Sequence, residues 1–174
     1  TCFVGSHMSA LPLQVLEDHE GVDIVLYNEG VYAIHNLLAS NLTAEDIKNI
    51  RGIGHKLNER PMLNAPEKVV PQERMDVDLP GYAWDLLPYA KKPLDLYRSH
   101  FWHTEYNHDK RTPFAAVYTS LGCRFKCDFC MINIVNRDSD ANDTVSAHSS
   151  HMRYWSPEFM LKEFDKLAAM GAET

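Results

Sequence analysis

Three cysteines, Cys123, Cys127 and Cys130, fall in the run from Thr119 to Cys130 as a C-x3-C-x2-C array. Three thiolates are an informative number. A cubane iron–sulfur cluster has four irons, so three cysteine ligands leave one iron open to a small molecule. A closed structural zinc site instead takes four ligands; the nearest candidates, His148 and His151, stand across a polar stretch, and the spacing matches no usual zinc pattern. Arg124, Lys126 and Asp128 interleave with the cysteines, which describes an exposed loop rather than a core segment of inert thiols. Cys2 stands alone and reads as a buried strand residue, not a fourth ligand. His100, His103 and His108 invite a second metal reading. It fails, because H-x4-H puts the rings on different faces of a helix and the segment has no helical periodicity.

Elements must position those thiols. Phe114 to Thr119 is rich in apolar and β-branched residues and predicts a strand running directly into Gly122 and Cys123. Residues 136–151 are polar and predict a surface loop. Beyond them, Ser156 is a predicted N-cap with Pro157 in the first turn. The helix that follows is expected to bury Met160, Phe164, Leu167 and Ala168 and to end at Gly171. Its other side, Glu158, Lys162, Glu163 and Lys166, reads as a solvated face with Glu158 and Lys162 paired.

Upstream, Cys2 to Val4 predicts a strand ending at Gly5, and Pro12 opens a helix through about Asp18. Val22 to Tyr27 is almost continuously apolar, the pattern of a parallel strand covered on both faces. Asn28, Glu29 and Gly30 then turn into a helix with Val31, Ile34 and Leu38 on one face. Thr43 and Asp46 have capping-box spacing, and Ile50 to His55 is a further strand candidate. The fold class is therefore α/β, the tail of a doubly wound sheet. Gly5 and Gly30 each follow a parallel strand, where a missing side chain lets a bulky ligand approach the backbone at the carboxyl edge. His7 stands just beyond Gly5. Residues 5–8 coincide with the scar of common expression tags, but the strand before and the helix after them mark the tetrapeptide as native. From residue 56 to 111 prolines recur and aromatics are scattered, so three regions are expected: 1–55, a linker over 56–111, and 112–174.

The 174 residues carry 17 Lys and Arg against 24 Asp and Glu, a net charge of -7. Such a balance gives no footprint for nucleic acid or an anionic membrane surface. No apolar run nears the roughly 18 residues of a membrane span. Clustered rather than dispersed cysteines fit a reducing cytoplasm.

The array, with Phe129 immediately before its third cysteine and a predicted strand before its first, resembles the signature of the radical S-adenosylmethionine enzymes. The resemblance implies a 4Fe-4S cluster on Cys123, Cys127 and Cys130, with S-adenosylmethionine chelated at the open iron and Phe129 against its adenine. Reductive cleavage would give methionine and a 5′-deoxyadenosyl radical that abstracts hydrogen from substrate. Val4-Gly5-Ser6-His7 with Ala10-Leu11-Pro12, and Val22 to Tyr27 with Glu29-Gly30, are similar to the cobalamin-binding domain of the B12-dependent subclass. Tyr82 to Pro88 resembles its linker. That likeness implies cobalamin near Gly5, His7 and Gly30, although Ser6 and Asn28 stand where the subclass usually has glycine.

Implied with it are methylation or rearrangement of an unactivated carbon, a small-molecule, lipid or saccharide substrate, and an external flavodoxin- or ferredoxin-type reductant. No further catalytic residue is singled out. A radical enzyme without cobalamin and a non-enzymatic iron–sulfur electron-transfer module remain as alternatives, the latter needing a fourth ligand. The residues after Cys123 supply the first βα unit of a partial barrel, since a complete one takes about 250 residues. The sequence therefore reads as an internal part of a longer protein.

Overall fold

The computed structural model describes residues 1–87, 115–125, 127–130, 132 and 152–173. The predicted loop 136–151 and His100, His103 and His108 lie outside them. The chain divides into two compact units, Thr1–Arg74 with Gly122–Arg153, and Met75–Leu121 with Tyr154–Thr174.

The first unit is mixed α/β. β1 (Cys2–Val4), α1 (Ser6–Ala10), α2 (Pro12–Asp18), β2 (Ile24–Leu26), α3 (Val31–Ala39), α4 (Ala44–Asn49), β3 (Ile53–Leu57) and β4 (Arg60–Leu63) follow in chain order. The sheet order is β1-β2-β3-β4. β1 and β2 are parallel, as their apolar runs suggested, with Val4 beside Leu26. β2 and β3 are antiparallel. The connection explains the change of direction. Leu42 at φ 57 breaks the helical run, and the Thr43–Asp46 capping box, both of whose bonds form, starts a second helix. The chain thereby returns to the end of β2 that it left, where Tyr27 N–H donates to Gly52 O at 3.1 Å. From there β3 can only run back.

β4 lies in the stretch read as linker. Asn58 and Glu59 both take positive φ, 51 and 64, a two-residue hairpin turn of the primed kind that matches strand twist. Neither is glycine, and Pro61 interrupts the strand pattern, so the hairpin escaped the sequence reading. Pro61 is tolerated because β4 is an edge strand.

Two apolar clusters sandwich this sheet. Val15, Leu16, Val22 and Val25 pack on one face, and Leu26, Ala33, Leu37, Ile50 and Ile53 on the other. Alternation along β2 divides Val25 from Leu26. Gly54 sits between layers, where a Cβ would come within 2.8 Å of Val25 and 3.1 Å of Leu16. On α3 the inward residues are Ala33 and Leu37, whereas Ile34 and Leu38 are exposed. Apolar residues nearly encircle that helix, and the small Ala33 is the position that lets it lie close to the sheet. Cys2 is exposed rather than buried. Asn64 fastens the far end: its Nδ2 donates to the Ile47 and Ile50 carbonyls, each at 2.6 Å, and its Oδ1 lies 3.2 Å from Nε2 of buried His55.

In the second unit α5 (Met75–Asp78) precedes a short 3-10 turn at Trp84–Leu86. β5 (Ser120–Leu121) and β6 (Arg153–Tyr154) make a two-stranded ladder, of which Arg153 is counted with the first unit, and α6 spans Pro157–Ala169. Only Ser120 and Leu121 of the described residues before the cysteines are in strand; 115–118 form no ladder, and Phe114 lies outside the description. Ser156 caps α6 as expected, its side chain accepting from Phe159 N–H at 3.1 Å. Gly171, at φ 91, ends it in a Schellman motif, with Ala172 N–H reaching Leu167 O and Gly171 N–H reaching Ala168 O. The buried face differs from expectation. Met160, Glu163 and Leu167 point inward, while Phe164 is 45% exposed and Ala168 is exposed. Glu163 turns inward because Trp84 Nε1 donates to its Oε2 at 3.0 Å, giving a buried carboxylate a partner that a solvated-face reading could not foresee. Two further bonds hold the start of α6: Trp155 Nε1 to Leu79 O at 2.8 Å and Ser156 N–H to Asp76 Oδ1 at 2.9 Å.

Candidate cofactor-binding site

The cysteine loop follows β5 through Gly122, whose φ of 91 is a value that side-chain-bearing residues rarely adopt. Cys123, Cys127 and Cys130 are each partly exposed, and none is in a disulfide. Cys130 N–H donates to Cys127 O at 3.0 Å, closing a turn over Asp128 and Phe129. Phe129 is 94% exposed, an aromatic face held at the tip of the turn. Among the described residues no three His, Cys, Asp or Glu side chains are grouped as a metal site, so the three thiols do not converge on one point. Their chemistry nonetheless fits a 4Fe-4S cluster: three soft donors on one loop, accessible, and none used in a disulfide.

At the carboxyl edge of β1 and β2 the structure brings Gly5 and Gly30 together. A Cβ on Gly30 would lie 3.5 Å from Val4, the residue before Gly5, and Ser9 Oγ bonds the carbonyls of both Gly5 (3.1 Å) and Asn28 (3.5 Å). Gly5 takes φ 138 with open space where a Cβ would stand, so the backbone there is bare. This suits close approach by a flat ligand. His7 stands two residues beyond Gly5. It is exposed on α1 and lines a depression of about 610 Å³ with Phe3, Met8, Val15 and His19. Asn28, at φ 64, is buried and donates through Nδ2 to Glu67 O at 3.0 Å. Its departure from glycine thus has a structural role.

Over 126 residues, 72% of this chain, the sequence is 28% identical to a protein of Pyrococcus horikoshii named as an uncharacterised methyltransferase. The likeness is to a methyltransferase. The chain spans 24% of that protein's length. No protein-family profile matches the chain, and no solved structure matches it at a significant level.

Sequence reasoning passed over Glu29 and Arg153, which meet in a buried ion pair, Arg153 Nη2 to Glu29 Oε1 at 2.8 Å. Glu29 enters the sequence reading as a turn residue and as part of the Glu29-Gly30 likeness, with no partner implied, and a lone Arg153 beyond a polar stretch gives no signal. Trp84 and Glu163 were each noticed, but nothing in their spacing paired them.

Proposed function

We propose that the chain belongs to a cobalamin-dependent radical S-adenosylmethionine enzyme that transfers a methyl group to an unactivated carbon. The observation that carries the reading is the C-x3-C-x2-C array: three partly exposed thiols, none in a disulfide, on a glycine-initiated loop with Phe129 bare beside the third. The likeness to a methyltransferase supports the enzyme class and favours methyl transfer over rearrangement. Because the chain spans a minor share of that relative, the activity is proposed for the whole protein.

In this reading Cys123, Cys127 and Cys130 hold a 4Fe-4S cluster through three irons, and Phe129 offers its face to the adenine of S-adenosylmethionine. When bound, the cluster supplies the electron that splits the sulfonium. Gly5 and Gly30 leave the sheet edge bare for cobalamin, and His7 stands on the helix that Gly5 opens. The exposed loop lets an external flavodoxin- or ferredoxin-type reductant approach, and clustered reduced thiols suit the cytoplasm. The substrate is proposed only as a class, a small molecule, lipid or saccharide. The regions 1–55, 56–111 and 112–174 are proposed as cobalamin-binding, linking and barrel-initiating parts, with β4 carrying the first one's sheet into the stretch read as linker. A second reading, a radical enzyme without cobalamin, draws on Ser6 and on the structural use of Asn28.

Anaerobic reconstitution tests this. About four irons per chain, with an EPR signal of the reduced protein that shifts on adding S-adenosylmethionine, is the expected outcome. Zinc without iron would sink the reading. Corrin absorbance after incubation with cobalamin separates the two versions.

A further inference from the structure

Glu29 and Arg153 form a bidentate pair, Nη2 to Oε1 at 2.8 Å and Nη1 to Oε2 at 3.2 Å, with side chains only 10% and 7% exposed. The same two groups grip one residue of the chain between them. Glu29 Oε2 accepts Val70 N–H at 2.6 Å, and Arg153 Nη1 donates to the Val70 carbonyl. Both terminal nitrogens of Arg153 and both carboxylate oxygens of Glu29 are therefore matched. Burying two charges costs enough that apolar residues of equal volume commonly stabilise a fold as well, so such a pair is weak evidence for stability. What a guanidinium–carboxylate fork supplies is a fixed distance and orientation.

The clasp sits where orientation matters. Glu29 is in the turn that presents Gly30, and Arg153 closes the segment Gly122–Arg153, which packs in one unit with Thr1–Arg74. Just beyond Arg153, Trp155 N–H donates to Thr119 O at 3.3 Å, so the chain leaving the cysteine segment lies beside the chain entering it. We propose that Glu29 and Arg153 are positioning residues, which hold the base of the cysteine-bearing loop against the turn carrying Gly30. The purpose given to this positioning rests on reading the cysteines as cluster ligands. Two consequences follow from the geometry: Glu29 is not a free carboxylate for a ligand at the sheet edge, and movement of residues 28–30 reaches the loop through one guanidinium.

The test uses the full chain with Arg153→Lys, which keeps the charge and loses the fork, and Glu29→Gln, which keeps the shape and loses the charge. Both are milder than truncation, and far-ultraviolet circular dichroism checks that each variant is folded before it is compared. Hydrogen exchange at the Val70 amide is expected to quicken at least about tenfold in each. After reconstitution, iron content is expected to match the parent while the EPR shift caused by S-adenosylmethionine is reduced, less in Arg153→Lys than in Arg153→Met. Faster Val70 exchange with an unaltered EPR shift would overturn the proposal and leave the pair a purely structural one. If the parent takes up no iron, the cluster reading fails by itself. Positioning is then read from alkylation of Cys123, Cys127 and Cys130: rates about fivefold higher in both variants support it, and unchanged rates overturn it.

Discussion

Glu163 keeps its charge inside the second unit because burial, which by itself pushes the carboxyl up, is outweighed by hydrogen bonds from Lys166, Trp84 Nε1 and the Tyr82 backbone. The net effect holds Glu163 below its ordinary value of 4.5. A group depressed on folding contributes stability that is fully present above the unfolded value and is lost as pH falls through the folded one. Glu163→Gln should therefore lower stability at neutral pH and flatten the acid limb, as read from urea midpoints between pH 7 and 3. Gly81 guards the same carboxylate: at φ 89, its Cβ would stand 2.8 Å from the Glu163 carboxyl carbon. Gly81→Ala is expected to cost about 1–3 kcal/mol through backbone strain and displaced hydrogen bonds. Tyr27 works at the opposite end of the pH scale. Burial pushes its phenol up to about 12, so its stabilisation is complete below the ordinary value of 10 and drains away between there and about 12. Tyr27→Phe should remove that alkaline dependence, and ultraviolet titration of the tyrosines should show one group ionising late.

Among the elements, the hairpin β3–β4 makes a sharp forecast. Glu59 sits at φ 64, a left-handed conformation that costs a side-chain-bearing residue about 1 kcal/mol relative to glycine. Glu59→Gly should accordingly stabilise the first unit, raising its thermal midpoint by a few degrees. The same hairpin shows why some elements could be read from sequence and others could not. Local chemistry announced itself: the Thr43–Asp46 box, the Ser156 cap with Pro157 and the Gly171 stop all follow from side chains within a few residues of one another, and the apolar run of β2 was legible as that of a parallel strand. Tertiary context decided the rest. Nothing local chooses Ala33 over Ile34 as the buried side of α3, reverses β3, or turns Glu163 toward a tryptophan far upstream. For the candidate site, the cysteine spacing and Phe129 were legible as a pattern, as were both edge glycines. The Glu29–Arg153 clasp was not, because a pair so distant in sequence leaves no periodicity to detect.

At the scale of the molecule, the proposed function has one decisive dependence. Cys127→Ala should abolish iron uptake while leaving far-ultraviolet circular dichroism unchanged, since the thiol is a partly exposed loop residue and not part of either apolar cluster. No helix among the described residues is long and apolar enough to cross a membrane. The first unit also carries a slow chemical clock. Asn64 directs its amide nitrogen at two carbonyl oxygens at once, tying α4 to the start of β3. Hydrolytic ageing of that amide to a carboxylate would turn two attractions into two repulsions. Stored protein should thus split into an intact population and an older one whose first unit opens early, separable by charge before any difference in chain length arises.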